Sequence, residues 1–63
     1  MNRIEWKAEV KKQLTLHGWT AKDLAEMVGY SDSHVSTAMN GGIAARVMLE
    51  KVSAVLGIEP PKE

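Results

Sequence analysis

Apolar residues recur at helical spacing in four stretches of the chain, and a glycine follows each stretch. Such a pattern predicts amphipathic helices that stop where a glycine permits the chain to turn. The first helix is expected from about Arg3 to His17, with Ile4, Val10, Leu14 and one face of Trp6 turned inward and Gly18 as its stop. The second has Leu24, Ala25 and Val28 as its inner face; Thr20 is its N-cap, with Asp23 at the third helical position as a variant capping box, and Gly29 ends it. Ser31 is the next N-cap, and Asp32 suits the positive end of a helix expected from about Asp32 to Asn40, with Val35, Ala38 and Met39 inward. A fourth helix, from about Ala44 to Leu56, carries Val47, Met48, Leu49, Val52, Val55 and Leu56 and ends at Gly57. Ile58 is placed to pack back on the last turn, and Pro60 and Pro61 prevent continuation. No alternation suggests a strand. The fold class is therefore all-α: a compact domain of four helices, with five as the alternative, over residues 1–58, and a short C-terminal tail at 59–63.

The connection between the second and third helices is too short for them to lie side by side, so they must cross steeply. Two helices at about 90 to 120 degrees, joined by a three- or four-residue turn with glycine, form a helix-turn-helix. The residue types agree with it. Ala25 is small where the helices approach, Gly29 accepts a positive φ in the turn, and Val35 ties the third helix to the core.

Length and composition narrow the classes. Sixty-three residues suit one domain. A domain this small buries only about 60% of its unfolded surface and is held by a few kcal/mol. The absence of cysteine implies packing without disulfides, and Arg3, Glu5, Lys7, Glu9, Lys11 and Lys12 interrupt any apolar run that a secretory signal would need. No run reaches the roughly 20 apolar residues of a membrane span. The expected location is the cytoplasm, with no membrane partner. Eight basic and eight acidic residues give a formal net charge of zero. That counts against a broadly electrostatic nucleic-acid binder and makes the arrangement of charge matter more than its sum.

The stretches "HGWTAKDLAEMVGYSDSHVSTAMNGG" and "LEKVSAVLGI" resemble the lambdoid phage repressor and Cro-type (XRE-like) helix-turn-helix family. The resemblance spans about Val10 to Ile58 and rests on Gly18-Trp19-Thr20, Leu24-Ala25, Gly29, Val35, Asn40-Gly41 and Leu56-Gly57-Ile58. It implies a lambda repressor-like fold and a phage or bacterial transcriptional regulator, a dimeric repressor that binds double-stranded DNA. The chain departs from the family pattern at Ala21, where glutamine is frequent. It departs again in the third helix, which carries Asp32, Ser33, His34, Ser36 and Thr37 in place of glutamine, arginine or lysine, and in the loop Gly42-Ile43-Ala44-Ala45-Arg46.

With Val35 and Met39 inward, the outward positions Asp32, Ser33, His34, Ser36 and Thr37 are the candidate base readers. An aspartate accepts from the cytosine amino group, hydroxyls address several base edges, and a threonine methyl meets the thymine methyl. The candidate phosphate contacts are Thr20 and Lys22 at the start of the second helix, with Asn40, Gly41 and Arg46 at the opposite edge. Arg3, Lys7 and Lys11 recur every four residues as a basic stripe, read foremost as a solvated face that Glu5 and Glu9 balance.

Other chemistry lacks its parts. His17 and His34 have no cysteine or carboxylate cluster beside them for a metal, and His17 suits a helix C-terminus. Trp6 and Trp19 are expected in or near the core, and Tyr30 packed in the turn. Ser31, Ser33 and Ser36 lie near His34 along one helix with no third group to orient them, so the chain is not expected to be an enzyme. No cofactor and no small-molecule substrate is expected. The rival reading is a helix-turn-helix protein-interaction module without strong DNA affinity, which the neutral charge and the lysine-free third helix favour.

Overall fold

In a computed structural model, which describes residues 2–62, the chain folds into four helices: α1 (Arg3–His17), α2 (Ala21–Val28), α3 (Asp32–Met39) and α4 (Arg46–Leu56). Each of the first three begins at a side chain that can accept from the amides a helix start leaves unpaired. Asn2 caps α1 with Glu5 in a reciprocal capping box, Thr20 and Asp23 do the same for α2, and the Ser31 hydroxyl accepts from the His34 amide at α3. Ala45 precedes α4 without a side-chain cap, and the helix starts two residues later than the apolar spacing predicts. At the other end of α3, Asn40 is the cap rather than the last helical residue.

One core joins all four helices. Trp6, Val10 and Leu14 of α1 meet Leu24, Ala25 and Val28 of α2, Val35, Ala38 and Met39 of α3, and Met48, Leu49, Val52 and Leu56 of α4. Trp6 is wholly buried, and its indole N–H donates to the Ser53 hydroxyl at 2.8 Å. Ser53 in turn donates to the Leu49 carbonyl at 2.7 Å, so the one buried polar side chain of α4 is satisfied on both sides. Ile4 corrects the expected inner face of α1: it is 81% exposed, because it lies about 120° around the helix from Val10, outside the arc that Trp6 and Leu14 share. On α4, Val47 and Val55 also stay at the surface. Ile58 packs against the core with its amide on the Ser53 carbonyl. Pro61 is buried, and its carbonyl accepts from the Arg46 guanidinium at 2.6 Å, so the segment after α4 lies against the helix that precedes it.

Three residues, Gly29, Tyr30 and Ser31, separate α2 from α3. Gly29 has φ +78°, and its amide and that of Tyr30 close on carbonyls of the last turn of α2. A Cβ at Gly29 would meet nothing within 4 Å, so the cost of a side chain there is purely conformational. Gly29→Ala is expected to keep the fold and lower stability by about 1 kcal/mol, which shifts the melting temperature by roughly 4–8 °C. Thermal unfolding followed by circular dichroism measures this, and an unchanged midpoint would contradict the assignment of the turn to backbone conformation.

Candidate nucleic-acid interface

Helix α3 divides cleanly into two faces. Val35, Ala38 and Met39 are buried, whereas Asp32, Ser33, His34, Ser36 and Thr37 are all exposed. The five side chains named as base readers therefore share the solvent side of one short helix fixed to the core by its other side. His34 is the most restrained of them: its Nδ1 lies 2.8 Å from the Ser31 hydroxyl, and its ring meets Tyr30 edge-on at 6.3 Å between centroids. Tyr30 is half-buried against the core, with the Lys51 ammonium 5.8 Å above its ring. Thr37 turns its methyl toward Gly42, where a built Cβ would lie only 2.5 Å from it. Gly42 is needed for that close approach, and its amide donates to the Thr37 carbonyl at 2.8 Å.

The candidate phosphate contacts fall into two groups. Thr20 and Lys22 are exposed at the start of α2. The Thr20 hydroxyl accepts from the Asp23 amide and keeps its own hydrogen for a further acceptor. At the other edge, the amides of Asn40, Gly41 and Gly42 all turn back onto carbonyls of α3, and they finish that helix. The Arg46 guanidinium reaches the Pro61 carbonyl and lies 3.9 Å from Glu50, which ties it to α4 and the C-terminal segment.

Within the basic stripe of α1, Arg3 departs from the solvated face that the sequence suggested, whereas Lys11 stays exposed. Arg3 is half-buried, and its Nη1 donates to the carbonyls of Ala38 at 2.8 Å and Gly42 at 3.0 Å, so a cation lies at the negative end of α3. Lys7 donates to Asn40 Oδ1 at 2.7 Å, and Asn40 Nδ2 reaches the Ser36 hydroxyl at 3.4 Å. Glu5, expected to balance these cations, is engaged in the cap of α1. Among the described residues, Lys7, Lys11 and Lys22 have no carboxylate within 4.0 Å. Lys7 and Lys11 line a cleft of about 210 Å³ together with Ala21, Ser36, Met39 and Asn40. Spacing alone placed the lysines on one stripe; that the stripe crosses α3 is a tertiary fact with no local signal.

The remaining aromatic and acidic groups lie elsewhere. His17, the last residue of α1, stacks on Trp19 with ring centroids 4.3 Å apart, and Trp19 is half-buried against the core. Asp23, Glu26 and Met27 flank Trp19 in a shallow depression on the α2 side. Among the described residues, no group of three or more His, Cys, Asp or Glu side chains could hold a metal ion, and no helix is long and apolar enough to cross a membrane.

No curated protein and no solved structure gives a significant match to the chain. The sequence profile of a helix-turn-helix family, HTH_3, matches residues 10–62, from the middle of α1 through the buried Pro61. The profile covers α2, the three-residue turn, α3, α4 and the second half of α1, so the chain belongs to the Cro/C1-type, XRE-like helix-turn-helix family of DNA-binding regulators.

Proposed function

We propose that this protein is a sequence-specific repressor that binds duplex DNA as a homodimer, with α3 in the major groove. The observation that carries this reading is the division of α3: a buried apolar face holds the helix rigidly, and Asp32, Ser33, His34, Ser36 and Thr37 occupy the exposed face. A major groove admits a helix so presented, and each base pair there displays its own pattern of donors and acceptors. Asp32 accepts from a cytosine amino group, and the serine and threonine hydroxyls address several base edges. None of the five makes the bidentate arginine contact to guanine, so discrimination comes from hydroxyl, carboxylate and imidazole contacts and from DNA shape. Thr20 and Lys22 contact the sugar-phosphate backbone at the start of α2. One domain covers few base pairs, and two copies on half-sites about 34 Å apart supply the remaining affinity.

The test is binding of the full chain to duplex DNA from its own upstream region, with a mixed-sequence duplex for comparison, over a range of salt concentrations. Ser33→Ala combined with Thr37→Ala is expected to lower affinity for the upstream duplex by roughly tenfold, since each hydroxyl hydrogen bond is worth about 0.5–1.5 kcal/mol, and to leave the mixed-sequence affinity nearly unchanged. Failure to bind either duplex at low salt would sink this reading, as would specific binding that the double substitution leaves intact.

A further inference from the structure

We infer that His34 is a fixed hydrogen-bond donor on α3, its Nε2–H addressing the N7 acceptor of a purine, guanine for preference, and that Ser31 is the positioning residue that sets its tautomer. The inference rests on the DNA-binding reading above and names the base group that one of its exposed side chains addresses. The helix caps differ in one respect. In α1 and α2 the third helical position is an acid, Glu5 or Asp23, whose carboxylate closes a reciprocal box on the backbone amide of the capping residue. In α3 that position is His34, and its ring turns to the Ser31 hydroxyl, with Nδ1 2.8 Å from Oγ.

The Ser31 hydroxyl has one hydrogen to give, and its oxygen already accepts from the His34 amide at 3.3 Å. A hydroxyl that accepts on one side donates better on the other, so its hydrogen goes to Nδ1, and the neutral ring carries its own hydrogen on Nε2. The opposite tautomer would make the hydroxyl accept twice and leave its hydrogen without an acceptor among the described residues. The ring is also held in orientation. Tyr30 meets the imidazole edge-on, with 6.3 Å between centroids and 68° between planes, and Tyr30 itself packs on the core with the Lys51 ammonium over its ring. On the far edge of this exposed ring, Nε2 has no hydrogen-bond partner among the described residues. In the major groove a lone N–H donor finds an acceptor at purine N7 and is opposed by the cytosine amino group. Guanine suits it best, because O6 beside N7 is a second acceptor, whereas adenine places an amino donor there. The hydroxyls of Ser33, Ser36 and Thr37 both donate and accept, so they tolerate either pattern. A ring restricted to donation does not.

The experiment uses the full chain and the duplex from its own upstream region, with each guanine in turn replaced by 7-deazaguanine, which keeps its pairing and lacks N7. The wild type is expected to lose about fivefold in affinity at one guanine of each half-site, the worth of one neutral hydrogen bond. His34→Ala should bind the unmodified duplex about fivefold more weakly and lose nothing further from that replacement. Two-bond proton–nitrogen NMR spectra of the free chain at mildly alkaline pH should show the His34 hydrogen on Nε2. Ser31→Gly removes the hydroxyl at little cost to the cap. It should give a mixture of tautomers and reduce the 7-deazaguanine loss to about twofold, since the freed ring must be ordered on binding. Ser31→Thr, which keeps the hydroxyl, should restore both readouts. Thermal unfolding establishes that each variant folds. A wild-type ring with its hydrogen on Nδ1 would overturn the inference, as would a 7-deazaguanine loss that persists in His34→Ala, or no such loss at any guanine. DNA binding itself would stand in each of those cases. If the wild type binds no duplex at low salt, the DNA-binding reading fails and the inference falls with it.

Discussion

Replacing Trp6 by alanine is expected to leave the chain largely unfolded at 25 °C. The indole is wholly buried in the core to which all four helices contribute, and it links α1 to α4 through Ser53. Removing so large a core side chain costs about 3–5 kcal/mol, partly for lost transfer and partly for the cavity left behind. A single core in a chain of this size rarely provides more than about 3–5 kcal/mol in total. The substitution also leaves the Ser53 hydroxyl with one partner, the Leu49 carbonyl. Trp6→Phe separates these contributions, because it retains most of the apolar volume and removes only the N–H. It should keep a cooperative transition at a stability lower by about 1–2 kcal/mol. Far-UV circular dichroism against urea measures both variants, and an alanine variant with the wild-type midpoint would refute the central place given to Trp6.

Arg3→Met is expected to destabilise the protein by about 2 kcal/mol, with the local effect concentrated at the C-terminal end of α3. One nitrogen of the guanidinium donates to both Ala38 and Gly42, so a single side chain at the start of α1 holds the last turn of α3 and the loop after it. Hydrogen bonds from a charged donor are worth about 1.5–3 kcal/mol each, and the half-buried setting of Arg3, where solvent screens the guanidinium, brings the pair below that sum to about 2 kcal/mol. Methionine conserves much of the stem's packing and removes the donors. The melting temperature should fall by roughly 10 °C, and amide hydrogen exchange should accelerate at Asn40, Gly41 and Gly42 more than in α2. Uniform exchange across the four helices would show that Arg3 adds general stability and does not restrain this junction.

Much of the fold was legible because local chemistry and global packing agree. The caps at Thr20 and Ser31 each act on an amide three residues on, Ala25 and Val35 lie on the inner faces their helices' spacing gives, and the structure contains each of them. Ile4 was misplaced because it is apolar and helical, although its angular position falls outside the Trp6, Val10 and Leu14 arc. The start of α4 was misplaced because Ala45 offers no capping side chain to mark it. In the candidate interface, the exposed face of α3 followed from its inward residues, since a helix with one buried side must present the other. The contacts of Arg3 and Lys7 with α3 could not be inferred in that way. They join positions more than 30 residues apart, and only the packing of α1 across α3 brings them together.

The close approach of Gly42 to Thr37 also bears on how such a domain would change its target sequence. A Cβ at Gly42 would lie 2.5 Å from the Thr37 methyl and 3.1 Å from the Thr37 carbonyl. The two positions therefore constitute one unit of steric covariation: bulk gained at either has to be given up at the other or relieved by moving the loop. Retargeting through Thr37 alone is confined to side chains that clear the loop, whereas Ser33 and His34, at the opposite end of α3, are free of that restriction.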